Sequence, residues 1–104
     1  MADARILIVE DEAIVALDIQ SRLIQRGYSI LGRVSNGQDA VRMAIEKRPD
    51  LILMDVHLRG ELDGIEAADQ IRRQYEIPVI YLTAYTTEEI IERAKATQPY
   101  GYLI

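Results

Sequence analysis

The chain has 104 residues, no cysteine and a formal net charge of −5 from 12 basic and 17 acidic side chains. That length suits one domain with a modest core, and without cysteine neither a disulfide framework nor a thiolate zinc site is available. The acidic balance lacks the clustered Lys and Arg of a nucleic-acid binder, and nothing reaches membrane-spanning length or has signal-peptide form, so a cytoplasmic protein with no membrane attachment is expected.

Apolar runs alternate with helical patterns along the chain. "RILIV" (5–9) predicts a first strand, followed at once by Glu10, Asp11 and Glu12. Residues 12–26 predict a helix with apolar positions around most of its circumference, ended by Gly27. "YSILGRV" (28–34) predicts the second strand. In "SNGQDAVRMAIEKRP", Ser35 and Gln38 offer a capping box for the second helix, which Pro49 closes. "LILM" (51–54) predicts a third strand that runs directly into Asp55, with the single histidine, His57, two places on. Asp63 and Glu66 form a capping pair opening a third helix. "PVIYL" (78–82) predicts the fourth strand, followed by Thr83 and Ala84. Thr86 and Glu89 begin a fourth helix, and "YGYLI" (100–104) reads as a fifth strand.

The continuous hydrophobicity of the first, third and fourth strands points to burial on both faces, hence a parallel sheet. Regular strand–helix alternation implies right-handed crossovers and a doubly wound α/β sheet. Sites in that architecture form at the carboxyl ends of the strands, near the switch in strand order. Glu10, Asp11 and Asp55 all fall at that edge, and Thr83 brings a hydroxyl to it.

Each residue has a plainer reading. Asp11 is equally suited to cap the helix that follows, Glu10 to be a solvated turn residue, Asp55 a loop acid, and Thr83 a strand-end hydroxyl bonded to backbone. Their conjunction says more. Packed together, the carboxylates raise one another's pKa and need a cation to stay ionised. Oxygen-only ligands select a hard ion, Mg²⁺ or Mn²⁺ in its place. A carboxylate beside such an ion, with a hydroxyl nearby, is suited to accept a phosphoryl group as an aspartyl phosphate.

With these residues in place, the sequence resembles the receiver domain of two-component response regulators. The motifs are "ILIVEDE", "PDLILMDVHLRGELDGIEAADQIR", "IPVIYLTAY" and "GYLI", in that order and over nearly the whole chain, 1–104. The resemblance implies a flavodoxin-like (βα)5 three-layer sandwich with sheet order 2-1-3-4-5. It implies Asp55 as phosphoacceptor, with a histidine kinase or phosphotransfer protein as donor, and signalling by conformational switch rather than enzymatic turnover. Asp11 and Asp55 would bind Mg²⁺ directly, His57 through its carbonyl and Glu10 through water. Thr83 would contact the phosphoryl group, and Tyr102 would be the aromatic that changes rotamer. His57 and Tyr85, each two places past a site residue, would hang over the phosphoryl group and govern the approach of water. An effector domain or downstream protein would carry the output.

The departures are Glu10 where Asp is common, Arg59 where many receivers have proline, a loop one residue longer before Asp63, and His57 itself. The chain also ends at Ile104, where the family continues with a lysine and a fifth helix; Lys95 lies within the fourth predicted helix and does not replace that lysine. The expectation is a C-terminally incomplete receiver whose uncovered apolar face invites homodimerisation. Competing readings are a flavin module, which "EDEA" after the first strand opposes by repelling phosphate; a Mg²⁺-dependent phosphohydrolase, which would have a second Asp where His57 stands; and a degenerate receiver acting only as an interaction module.

Overall fold

In the computed structural model, residues 4–82, Arg93 and 101–103 are described. Their elements are β1 (Arg5–Val9), α1 (Ala13–Gln25), β2 (Ser29–Val34), α2 (Gly37–Lys47), β3 (Leu51–Asp55), α3 (Gly64–Arg72), β4 (Val79–Leu82) and β5 (Gly101–Leu103). The strands pair in parallel in the order β2-β1-β3-β4-β5. The expected doubly wound, flavodoxin-like sheet order 2-1-3-4-5 is the observed one. The fourth predicted helix, from Thr86, lies outside the described residues.

The pleat explains the continuous apolar runs of β1 and β3. β4 departs from the expected burial on both faces, since Val79 and Tyr81 are buried but Ile80 and Leu82, on the opposite face, are only half-buried. Successive side chains point to opposite faces of a strand. Leu7, Val9, Ile52, Met54 and Tyr81 therefore enter a core with Ala40 and Ala44 of α2 and Ala67, Ala68 and Ile71 of α3. Ile6, Ile8 and Leu53 turn to the other face and meet Ala16 of α1. The small alanines let all three helices lie close to the sheet. On its outer side α1 leaves Ile14, Leu17 and Ile24 exposed, in keeping with a helix whose sequence is apolar around most of its circumference.

Helix ends follow local chemistry, with one correction. Gly27, just past the end of α1, adopts φ +91°, a left-handed conformation that glycine takes without a Cβ penalty. Asp63 and Glu66 form the expected reciprocal capping box at α3. The Ser35–Gln38 box at α2 does not form. Asn36 is the N-cap, its side chain accepting from the Asp39 amide at 2.8 Å. The shift of one residue has a local reason: Asn36 also donates through Nδ2 to Oδ2 of Asp39 at 3.0 Å, so cap and partner exchange two hydrogen bonds. Gly37 is then first in the helix, where a Cβ would lie 2.6 Å from Cβ of Leu62.

Gly64 is tighter still. It opens α3, its amide donates to the Val56 carbonyl at 3.1 Å, and a Cβ there would collide with the carbonyl oxygen of Asp55. Gly64→Ala is expected to lower stability by about 1–3 kcal/mol, as overpacking of a dense interior does. Gly32→Ala, whose Cβ would meet Met43 Cε at an ordinary 3.5 Å, should change it by less than about 1 kcal/mol. Urea unfolding of the two variants beside the parent checks the contrast.

Candidate functional site

The site is built by strand register. β1 and β3 pair with Val9 opposite Met54, so the residues that follow, Glu10 and Asp55, emerge side by side at the carboxyl edge. The Glu10 amide donates to the Val34 carbonyl at 3.0 Å, tying the chain to β2 for one further residue. On the other side Asp55 pairs with Leu82, and the Val56 amide donates to the Leu82 carbonyl at 3.1 Å. The chain passes from β1 to β2 on one side and reaches β3 on the other, so these acids stand at the switch in strand order, where α/β sheets form their crevices.

Glu10, Asp11 and Asp55 each place a carboxylate oxygen within 4.8 Å of the others, and all three residues are half-buried. Asp11 does not cap α1. The N-cap is Glu12, whose side chain makes no capping bond, and Asp11 belongs instead to the acid cluster. Backbone donors hold two of the carboxylates. The Glu12 amide donates to Oε2 of Glu10 and the His57 amide to Oδ1 of Asp55, each at 3.0 Å. Asp11 is met by Arg59, Nε to Oδ2 at 3.4 Å.

Burial is the main force on Glu10. Desolvation pushes its carboxyl up from 4.5 to about 7; the Glu12 amide opposes the rise, while Asp55 and Asp11 add to it. Glu10 is thus only partly ionised near neutrality in the absence of a cation. Close-set oxygen donors with unmet demand for positive charge fit a hard divalent cation, Mg²⁺ or Mn²⁺.

Of the other residues singled out in the sequence, His57 is exposed, and its backbone amide is bonded to Asp55. Tyr102 lies in β5 opposite Tyr81, but its side chain is outside the described residues, as are Thr83 and Tyr85. The pairing of Arg59 with Asp11 was not legible in the sequence, where Arg59 is notable only as a departure from proline. Arg93 is a second such case: its Nη2 meets Oδ2 of Asp63 at 2.7 Å, adding a tie to the residue that caps α3.

The sequence model of the response regulator receiver domain family matches residues 6–104. The chain is 39% identical over 100 residues to the transcriptional regulatory protein PdtaR of Mycobacterium tuberculosis, covering 96% of this chain and 48% of PdtaR. It thus spans about half the length of the curated relatives such as this one that it matches. Among solved structures, it is 40% identical to the signal receiver domain of a modulated diguanylate cyclase from Desulfovibrio desulfuricans, with a TM-score of 0.91 over 96% of this chain and 79% of that one. It is 36% identical to the receiver domain of the sensor histidine kinase PA1611 from Pseudomonas aeruginosa PAO1, a structure with a magnesium ion coordinated in the active site cleft. There the TM-score is 0.86, covering 97% of this chain and 84% of that one.

The raised Glu10 pKa has a signed consequence. Between 4.5 and about 7 the folded chain keeps a proton that the unfolded chain releases, so Glu10 makes the metal-free protein less stable as pH rises through that window. Glu10→Gln removes this loss. Its melting temperature in chelator, relative to the parent's, should rise from pH 4.5 to 7 and level off above; a difference independent of pH would contradict the assignment.

Proposed function

Because the chain belongs to the response regulator receiver domain family, we propose that it is a phosphoacceptor in a two-component phosphorelay, with Asp55 as the residue phosphorylated. The observation that carries this reading is the convergence of Glu10, Asp11 and Asp55 on one point at the sheet edge. Receiver domains are signalling modules, and Asp55 is read here as an acceptor that switches the domain, not as the nucleophile of a turnover enzyme.

Asp11 and Asp55 would hold Mg²⁺ directly, with the His57 carbonyl as a further ligand and Glu10 acting through water. When bound, the ion supplies positive charge for the oxygens of the transferring group. The magnesium described in the PA1611 receiver domain supports this choice of ion. The protein's own part is positioning. The His57 amide occupies Oδ1 of Asp55, which orients the carboxylate and leaves Oδ2 to attack. As the new Oδ2–P bond forms, the bond from phosphorus to the imidazole nitrogen of a donor phosphohistidine breaks, and the nitrogen keeps the electron pair. The donor would be a histidine kinase or phosphotransfer protein.

In this reading Thr83 contacts the phosphoryl group and Tyr102 repacks in response, a two-state change of the kind that small shifts at an effector site bias. His57 and Tyr85 set the lifetime of the aspartyl phosphate by controlling the approach of water. The domain works in the cytoplasm and passes its signal to an effector domain or downstream protein, without contacting nucleic acid itself. Among the described residues, no helix is long and apolar enough to cross a membrane. The exposed apolar residues of α1 suit self-association.

Incubation with acetyl phosphate and Mg²⁺ should add one phosphoryl group by mass. The addition should vanish in Asp55→Asn or when chelator replaces the metal, and His57→Ala should change its lifetime several-fold. No addition under any donor would leave the chain as a phosphorylation-independent interaction module.

A further inference from the structure

We propose that Arg59 is a tethered counter-cation for the acid cluster: its guanidinium holds Asp11 while no divalent ion is bound and is displaced when one binds. The inference rests on the reading of Glu10, Asp11 and Asp55 as a divalent-cation site and assigns the residue that sets the threshold of that site.

Arg59 lies in the loop between β3 and α3, four places after Asp55. Gly60 follows it with φ +101°, a conformation that favours glycine, and a Cβ there would have nothing within 4 Å. The chain therefore turns in open space, and the long side chain reaches across to the β1–α1 junction, where Nε meets Asp11 Oδ2 at 3.4 Å.

The two partners differ sharply in exposure. The Asp11 side chain is 14% exposed and that of Arg59 is 88%. A largely buried carboxylate is thus partnered by a cation whose own side chain remains in water. Backbone amides at fixed positions serve Glu10 and Asp55, whereas Asp11 is served by a mobile kind of partner, the end of a flexible side chain. Such a pair is weak enough to be exchanged, unlike a bond to the backbone. A divalent ion on the same carboxylate would face the positive guanidinium at close range, and the two repel. Occupancy by one therefore opposes occupancy by the other.

The energetic scale of an exposed ion pair sets the size of the effect. Removing the guanidinium should tighten Mg²⁺ binding by about two- to five-fold. A general loss of positive charge elsewhere should not. Lys47 provides the control. It ends α2, and its carbonyl accepts from Nη2 of Arg5, the first residue of β1, at 2.9 Å. That places Lys47 at the amino edge of the sheet, opposite the acids.

The test is a Mg²⁺ titration of the full chain, followed by amide chemical shifts, for the parent, Arg59→Ala and Lys47→Ala. Both substitutions are at exposed positions, and the dispersion of the amide spectrum reports that each variant is folded. The expected result is tighter binding by Arg59→Ala alone, with the Nε–H signal of Arg59 in the parent shifting as Mg²⁺ saturates. Equal or weaker binding by Arg59→Ala, or the same gain in Lys47→Ala, overturns the role of Arg59 while leaving the cation site intact. Absence of saturable binding in all three overturns the site and this inference with it.

Discussion

The parallel register between β1 and β3 is the constraint on which the rest of the structure depends. Pairing Val9 with Met54 brings Glu10 and Asp55 to the same height at the sheet edge, and a slip of one residue would reverse the face of every side chain on the strand. Ile6 and Ile8 would then exchange faces with Leu7 and Val9, and the closely fitted side chains on both sides oppose that exchange. Core packing thus holds an arrangement that electrostatics opposes. Carboxylates gathered at one edge repel each other, and burial raises the pKa of Glu10 to about 7.

The surroundings offset that repulsion only in part. The amides of Glu12 and His57 donate to Glu10 and Asp55, and Arg59 pairs with Asp11. These contacts orient the acids without neutralising the cluster, the condition expected of a site built for a cation that comes and goes. A fully satisfied network would be more stable and less able to bind.

Close backbone packing gives the site its rigidity. Gly64 rests against the Asp55 carbonyl and Gly37 against Leu62, so both the start of α3 and the start of α2 are held to the loop that follows Asp55. The Asp63–Glu66 capping box fixes the far end of that loop, and Arg93 joins Asp63 to a part of the chain beyond β4. β3, the loop and the helix after it are therefore joined by close contacts, a physical basis for passing a change at Asp55 to other elements.

The sequence by itself determined the order of the described elements, the burial of β1 and β3 on both faces, and the edge at which Glu10, Asp11 and Asp55 gather. Those features follow from periodicity, turn residues and the parallel-sheet rules, all of which act over short stretches of chain. Local chemistry also made the Asp63–Glu66 box legible, because both partners lie within one turn. The choice of Asn36 over Ser35 as the cap of α2 was not legible. Both are good caps, and Asn36 prevails by exchanging two hydrogen bonds with Asp39, while Leu62, distant in sequence, leaves room only for glycine at position 37. The same holds for Asp11, equally fit by sequence to cap α1 or to join the cluster, and for Arg59, whose partner lies 48 positions away. Only the tertiary structure decided these, because each depends on which side chains the fold brings into contact across the sheet edge, and no local pattern encodes that distance.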